Sequence, residues 1–499
     1  MVDKTEGDIV AGHAATAGAT AQIVDTGVIR DFTPAPSMAG FSSRGPNPSA
    51  ASIIKPDITA PGVQVMAGAS PTPVGDDYEP GQLFQSISGT SMSSPVMAGV
   101  FLLGDQVHPT WSPAALKSSV MTTASQDVRD NDRVTPADPF DFGSGHVSPV
   151  ASFNPGLVYD AKRADFLGFI CGTPSRSAVG EATCSALASR GIETKVENLN
   201  YPTIGVSALA GVTEVKRTVT NVSGAPGSFA ASVQNPAGIE MTVTPSTLDL
   251  ANGESGTFTV TIRNVSATVN SAWLYGAVTW KGAGTTTRSN VAVYPTAIEA
   301  PAMVSGMGAS GSASMKVQIG GTGTYTSRPA GLAANEPIAG QVSQDPDQTF
   351  DPASTAGTTG LPITIAPNTA YARWSLVIPG ADDIDLYLYN EDGKLVGQST
   401  SGGTDELIEL SAPAAGAYTL YVHGWQVASS PLSFSMGQWK AVTGTGGLTA
   451  APASASVTAG DVIDVTASWT GAPSGVSYGV VDHVLNGALG GQTVVEVTN

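Results

Sequence analysis

A serine stands on a glycine turn at the mouth of an apolar run, where Ser86 to Gly99 read SISGTSMSSPVMAG. The stretch from Ser91 to Val107, rich in Ala, Gly and Ser, predicts a helix that packs closely against its neighbours. A serine placed there directs its hydroxyl outward at the positive end of the helix dipole. Ser91 is therefore a candidate nucleophile, with Gly89 and Thr90 as the turn that supports it. Its own backbone N–H, unsatisfied at a helix start, could also stabilise the oxyanion of a tetrahedral intermediate. An isolated Gly-Thr-Ser turn is more often only a helix cap, so the weight rests on its surroundings.

Those surroundings are ordered. FSSRGPN at Phe41 to Asn47, KPDITAPG at Lys55 to Gly62, the Ser91 segment, WSPAALKSSVMTTA at Trp111 to Ala124, FDFGSGHVSP at Phe140 to Pro149 and NPGLVYD at Asn154 to Asp160 follow one another closely. Together they resemble the C-terminal half of the catalytic domain of subtilisin-like serine proteases. They are nearest to the large secreted type with a protease-associated domain inserted before this point. The resemblance covers roughly residues 20 to 170 and gives Ser91 the nucleophile's role. NLNYPTIGV from Asn198, KRTVTNVSG from Lys216 and YGAVTWKG from Tyr275 are similar to the fibronectin-III-like domain that follows in such proteases. Tyr371 to Gly393 and Ala415 to Trp425 resemble accessory β-sandwiches of bacterial secreted peptidases.

Such chemistry needs a base, a carboxylate to orient it and a second oxyanion donor. In the subtilisin order the Asp and His come before the Ser. Only 90 residues precede Ser91, and the one upstream histidine is His13. IVDTG at Ile23 to Gly27 and GHAATAG at Gly12 to Gly18 look like the family's Asp and His motifs, but in inverted order, with His13 before Asp25. Both are read as coincidence, a loop histidine and a turn aspartate. The resemblance thus implies a serine endopeptidase acting on polypeptides through an acyl-enzyme, of which this chain carries the nucleophile half. Its catalytic partners are expected on a missing N-terminal half, and the chain alone should be nearly inert. The full-length protein is expected to be secreted, although the first thirty residues hold no continuous apolar core of the kind an export signal needs.

Composition narrows the classes further. The 499 residues predict several domains, and 58 Gly and 34 Pro with only 13% charged residues favour packed all-β domains over helical repeats. A net charge of −19 argues against nucleic acid and anionic membranes as partners. The longest apolar stretch, Val96 to Gly104, is far too short for a membrane span.

The elements that must hold the serine are α/β in character. Ser112 reads as an N-cap and Pro113 as a first helical residue, with good helix formers from Ala114 to Thr123. Short β-like runs lie at Ala21 to Val24 and Val63 to Ala67. From about Asn198 the pattern becomes strands: Val215 to Val222, Ile239 to Val243, the alternating Thr257 to Ile262 and Val291 to Tyr294. Further strands follow at Trp374 to Ile378, Ile384 to Tyr389, Leu407 to Leu410 and Tyr418 to Val422. The fold class expected is an incomplete subtilisin-like α/β layer followed by two or three all-β sandwiches. The division is 1–25 as the end of an inserted region or linker, 26–170 as the catalytic half and 171–197 as a connector. A fibronectin-III-like sandwich at 198–300, an accessory sandwich at 301–440 and a β-rich tail at 441–499 complete it. The small, polar stretch Pro301 to Ser314 reads as a linker.

Other residues have simpler readings. Cys171 and Cys184 would either close a local disulfide in an oxidising compartment or remain two inert thiols. His108 reads as a surface residue, His146 as structural, and His423 and His483 as ordinary strand residues. Asp382, Asp383 and Asp385 with Asn390 and Asp392 could hold calcium; a strand edge and an Asp-Gly hairpin turn is preferred, and no cofactor or metal is expected. Asn221 and Asn264 head glycosylation sequons. A rival from another class is a non-catalytic extracellular binding or adhesion protein on a degenerate peptidase scaffold, which an exposed aromatic strip on one sandwich would favour.

Overall fold

A computed structural model describes residues 11–16, 18–20, 35–72, 81, 83–265, 272–378, 382–403, 405–428 and 430–499. The expected strand at 21–24 and Asp25 lie outside the described residues.

Among the described residues, helices are confined to the first two hundred positions. Val65–Gly68 pairs antiparallel with Phe84–Ile87, and the chain then turns into the helix Thr90–Val107. Pro113–Thr122 forms as its sequence dictates. Pro113 opens it, and Ser112 Oγ accepts the Ala115 N–H at 3.0 Å, satisfying one of the orphan donors of the first turn. Asp138 caps the short helix Pro139–Phe142 in a reciprocal capping box with Asp141. Arg163–Cys171 and Glu181–Ser189 are joined by the Cys171–Cys184 disulfide, which settles the cysteine alternative left open by the sequence.

The first sandwich pairs a five-stranded sheet, in the order Ile204–Leu209, Thr285–Pro295, Leu274–Gly282, Gly227–Gln234 and Thr247–Leu250, with a four-stranded one. The second sheet runs Leu157–Val158, Val212–Asn221, Ser255–Asn264 and Ile239–Thr244. Inward residues alternate along Ser255–Asn264, so that Phe258, Val260 and Ile262 meet Trp280, Val291 and Val293 in the core. Leu157 and Tyr159, assigned from sequence to the catalytic half, belong to this core. Two residues are too few to show a strand period, and only the pairing of Leu157 with Asn221 reveals the strand.

The division beyond residue 300 needs correction. Met303–Met307 pairs in parallel with Ala488–Thr498, and Ser310–Ile319 pairs antiparallel with Val462–Thr470. Both ends of the 301–499 region therefore build one sandwich. The second sandwich, from Ile338–Val342 to Leu432–Val442, is inserted within it and has its own core around Trp374, Leu386 and Leu420. The linker expected at 301–314 is two strands. Its small residues make room for an indole: a Cβ at Gly306 or Gly311 would lie 2.1 or 2.6 Å from Trp469.

Neither sequon asparagine is exposed. Asn221 is fully buried, and its amide donates to Ala225 O at 2.9 Å and Leu250 O at 3.0 Å; Asn264 is also buried.

Candidate active-site serine and its supports

Ser91 is the second residue of the helix Thr90–Val107, and both it and Thr90 are exposed, while Gly89 before them is extended and half-buried. The first turn-closing bond is donated by the Met92 N–H to Gly89 O at 3.0 Å. The Thr90 and Ser91 amides come before it, and no side chain caps the helix. Two N–H groups and the positive end of the dipole thus surround an exposed hydroxyl. Pro95, four residues on, has no N–H to give the Ser91 carbonyl, so the helix opens with an interrupted ladder.

Three contacts latch this helix start to the segment Ala60 to Gln64. The Gly89 N–H donates to Gly62 O at 2.8 Å, Ser93 Oγ donates to Ala60 O at 3.1 Å, and the Gln64 N–H donates to Ser88 Oγ at 2.9 Å. Gly62 permits the approach: a Cβ there would stand 2.1 Å from Ser93 Oγ and 2.9 Å from Gly89 O. Sequence reasoning missed Gly62, Ser88 and Ser93 as supports. KPDITAPG was legible as a motif, but a backbone contact across about thirty residues leaves no periodic trace.

Just before that segment, Asp57 takes Lys55 Nζ at 2.7 Å, Lys117 Nζ at 2.7 Å and the Tyr201 hydroxyl. Burial alone would raise the Asp57 carboxyl, but the two ammonium groups outweigh it and hold it below the usual carboxylate range. Burial and the Asp57 charge push the Tyr201 hydroxyl up. Tyr201 comes from the first sandwich's approach segment. With Asn290 Nδ2 donating to Gly143 O at 3.0 Å and Ser52 Oγ meeting Ser207 Oγ at 2.8 Å, it fastens the sandwich to the serine-bearing layer.

The structure does not bring the other candidates to the serine. His13 is exposed and its Nε2 lies 3.1 Å from Thr20 O. His146 Nδ1 is 3.4 Å from Thr59 Oγ1, and burial lowers its pKa. His108 stacks on Trp111 at 3.8 Å and bonds Phe153 O, so it is built into the helix-end packing. Among the described residues, Ser91 Oγ has no hydrogen-bond partner. Downstream acids do not converge either. Asp382 Oδ1 accepts the Ala428 N–H at 2.6 Å, Asp383 Oδ1 accepts the Gly403 N–H at 3.1 Å, and Asn390 Oδ1 accepts the Lys394 N–H at 2.9 Å in the hairpin turn. Among the described residues no group of three such side chains is arranged to hold a metal ion.

Behind Ser91 the helix is wholly apolar from Val96 to Gly104, yet only Val100 and Gly104 are buried. Leu102 is 72% exposed and Leu103 51%, and on the adjoining strands Met66 is 75% and Phe84 64% exposed. A wholly apolar stretch of helix is ordinarily interior, and apolar exposure of this kind marks a contact surface.

Comparison with known proteins places families on these segments. Residues 9–145 match the Subtilase family, 198–293 a Fibronectin type-III domain and 354–424 a Bacterial pre-peptidase C-terminal domain. The CO(2)-response secreted protease of Arabidopsis thaliana is 38% identical over 295 residues, covering 55% of this chain and 38% of that protein. Subtilisin-like protease SBT5.3 of the same plant is 40% identical over 276 residues, covering 52% and 35%. The chain therefore spans less than two fifths of the length of these relatives. Among solved structures, Tripeptidyl Peptidase 2 matches at 10% identity with a TM-score of 0.23, covering 70% of this chain and 26% of that one. No described helix is long and apolar enough to cross a membrane.

Proposed function

We propose that this chain, whose residues 9–145 match the Subtilase family, is the nucleophile-bearing part of a serine endopeptidase with Ser91 as the attacking group. The observation that carries this reading is the exposed Ser91 hydroxyl at an uncapped helix mouth inside the matched segment. In the reaction Ser91 Oγ attacks the peptide carbonyl of a polypeptide substrate, and its proton passes to a histidine base. The Ser91 N–H, held in place by the Gly89 and Thr90 turn, donates to the oxyanion. Collapse expels the amine leaving group and leaves an acyl-serine, which water then hydrolyses.

The base, its orienting carboxylate and the second oxyanion donor come, in this reading, from a segment outside this chain. The exposure of the apolar side chains Leu102, Leu103, Met66 and Phe84 supports that, because such side chains are where a further layer would pack. Without it Ser91 stays protonated and reacts very slowly. The Cys171–Cys184 disulfide supports an extracellular setting. In the same reading 1–25 ends an inserted region, 171–197 connects, and the sandwiches brace the serine-bearing layer. The rival of a pure binding module has less behind it. Phe350, Tyr387 and Tyr421 are packed on one another, and of the aromatic side chains on that face Trp425 alone, at 39%, counts as exposed.

The test is reconstitution. The chain is co-expressed with a polypeptide carrying the subtilase Asp and His segments and assayed on a denatured protein. Cleavage by the reconstituted pair that disappears in Ser91→Ala is expected; no cleavage by a correctly assembled pair would overturn the reading.

A further inference from the structure

His423 lies far from the serine in sequence, in the strand Gly416–Gln426 of the inserted sandwich, and is fully buried. Its ring is bracketed by two carboxylates: Nε2 is 2.8 Å from Asp345 Oδ2 and Nδ1 is 3.2 Å from Asp385 Oδ2. Both acids are buried, at 4% and 6% exposure. A neutral imidazole has one N–H and one lone pair, so it would satisfy one carboxylate and turn its lone pair on the other. Only the imidazolium donates to both. Burial works against that charge, but the bonds to Asp385 and Asp345 outweigh it and raise the pKa of His423 above its ordinary value.

Asp345 lies near the start of an irregular segment, residues 343–357, that crosses the outer face of the sheet. The Asp345 N–H donates to Gly424 O at 2.9 Å, the Gly424 N–H donates to Gly357 O at 2.9 Å, and Phe350 lies flat on Tyr387 at 3.7 Å. The charged and titratable groups around the ring are few. The segment brings Asp345 and Asp347. Strand Asp383–Asn390 brings Asp385 and Tyr387, whose hydroxyl lies 3.4 Å from Asp385 Oδ2. Glu406 of strand Asp405–Ser411 acts on this cluster at longer range, and Thr358 stands opposite His423 on the remaining neighbour strand.

We propose that His423 is a proton-operated pin: its imidazolium ties residues 343–357 to the sandwich face through Asp345, and loss of that proton at alkaline pH frees the segment and uncovers Tyr387 and Tyr421. The direction follows from the sign of the linkage. A histidine whose proton is held more tightly in the folded state contributes its full stabilisation below the ordinary histidine value, and loses it as pH rises through the elevated one.

The experiment uses the full chain labelled with 15N-histidine, from about pH 6 to about pH 10, with hydrogen exchange of residues 343–357 read in parallel. Both His423 nitrogens should be protonated at neutral pH. Exchange of the Asp345 amide, corrected for intrinsic base catalysis, should climb by up to about tenfold per pH unit between the ordinary histidine value and the His423 titration, and level off past it. Asp345→Asn, which removes one carboxylate, should move the His423 titration, and with it the end of that climb, to lower pH. Should this variant fail to fold, the wild-type titration decides alone. A His423 ring carrying one proton at neutral pH, or exchange that stays flat up to its titration, overturns the proposal.

Discussion

Leu102→Ala separates a surface that is merely exposed from one built to be covered. Burying a whole leucine side chain is worth about 1.5–3 kcal/mol, and Leu102 is 72% exposed in this chain. Only about a quarter of that sum is at stake here, so urea unfolding of the variant should show a loss below about 1 kcal/mol. Once a further segment packs on the helix Thr90–Val107, the same truncation leaves a cavity and costs about 2–5 kcal/mol. The difference, about 1–1.5 kcal/mol at the low end, is roughly a tenfold weakening of association. Calorimetric titration of the chain with the upstream catalytic segment measures it. An unfolding loss above about 2 kcal/mol would show that Leu102 is already part of a closed core. Unchanged affinity would show that the segment packs elsewhere, and either result refutes the reasoning.

Other outcomes follow from the same contacts. Gly62→Ala puts a Cβ 2.9 Å from Gly89 O, so it should cost about 1–3 kcal/mol in denaturant unfolding and slow the reaction of Ser91 in the reconstituted protein. The Cys171–Cys184 bond closes a loop with a sequence separation of 13, so Cys171→Ser with Cys184→Ser should lower stability by about 3 kcal/mol in urea. Buried His483 bonds Tyr325 and Thr493 in its neutral form, and burial depresses its pKa to about 4. The unfolded chain takes up this proton first as pH falls, so stability should drop between about pH 6.5 and about pH 4, by around 3 kcal/mol in full, and level off below. His483→Gln should flatten that part of the pH profile.

Local signals proved legible in the sequence where each residue's role is settled within a turn. Ser112 and Pro113 fix the start of one helix, and the alternation from Thr257 to Ile262 fixes a strand that the structure extends to Ser255–Asn264. Ser91 falls where its motif puts it, one residue inside the helix. Long-range pairing is a different matter. That Ser310–Ile319 finds its partner at Val462–Thr470 depends on Trp469 filling the space left by Gly306 and Gly311, and nothing within fifteen residues of those glycines announces it. His423 likewise reads as an ordinary strand residue until Asp345 and Asp385, from two other elements, are seen on its two nitrogens. The supports of Ser91 share this property, because Gly62 meets Ser93 through space and not through sequence period.

The central claim is that Ser91 becomes nucleophilic when a base is brought to it. Incubating the reconstituted protein with a fluorophosphonate and mapping the adduct by mass spectrometry tests that claim at a single atom. The account predicts modification confined to Ser91, absent in the chain alone and in Ser91→Ala. Labelling of another residue, or an unmodified Ser91 in a pair whose assembly has been verified, would contradict it.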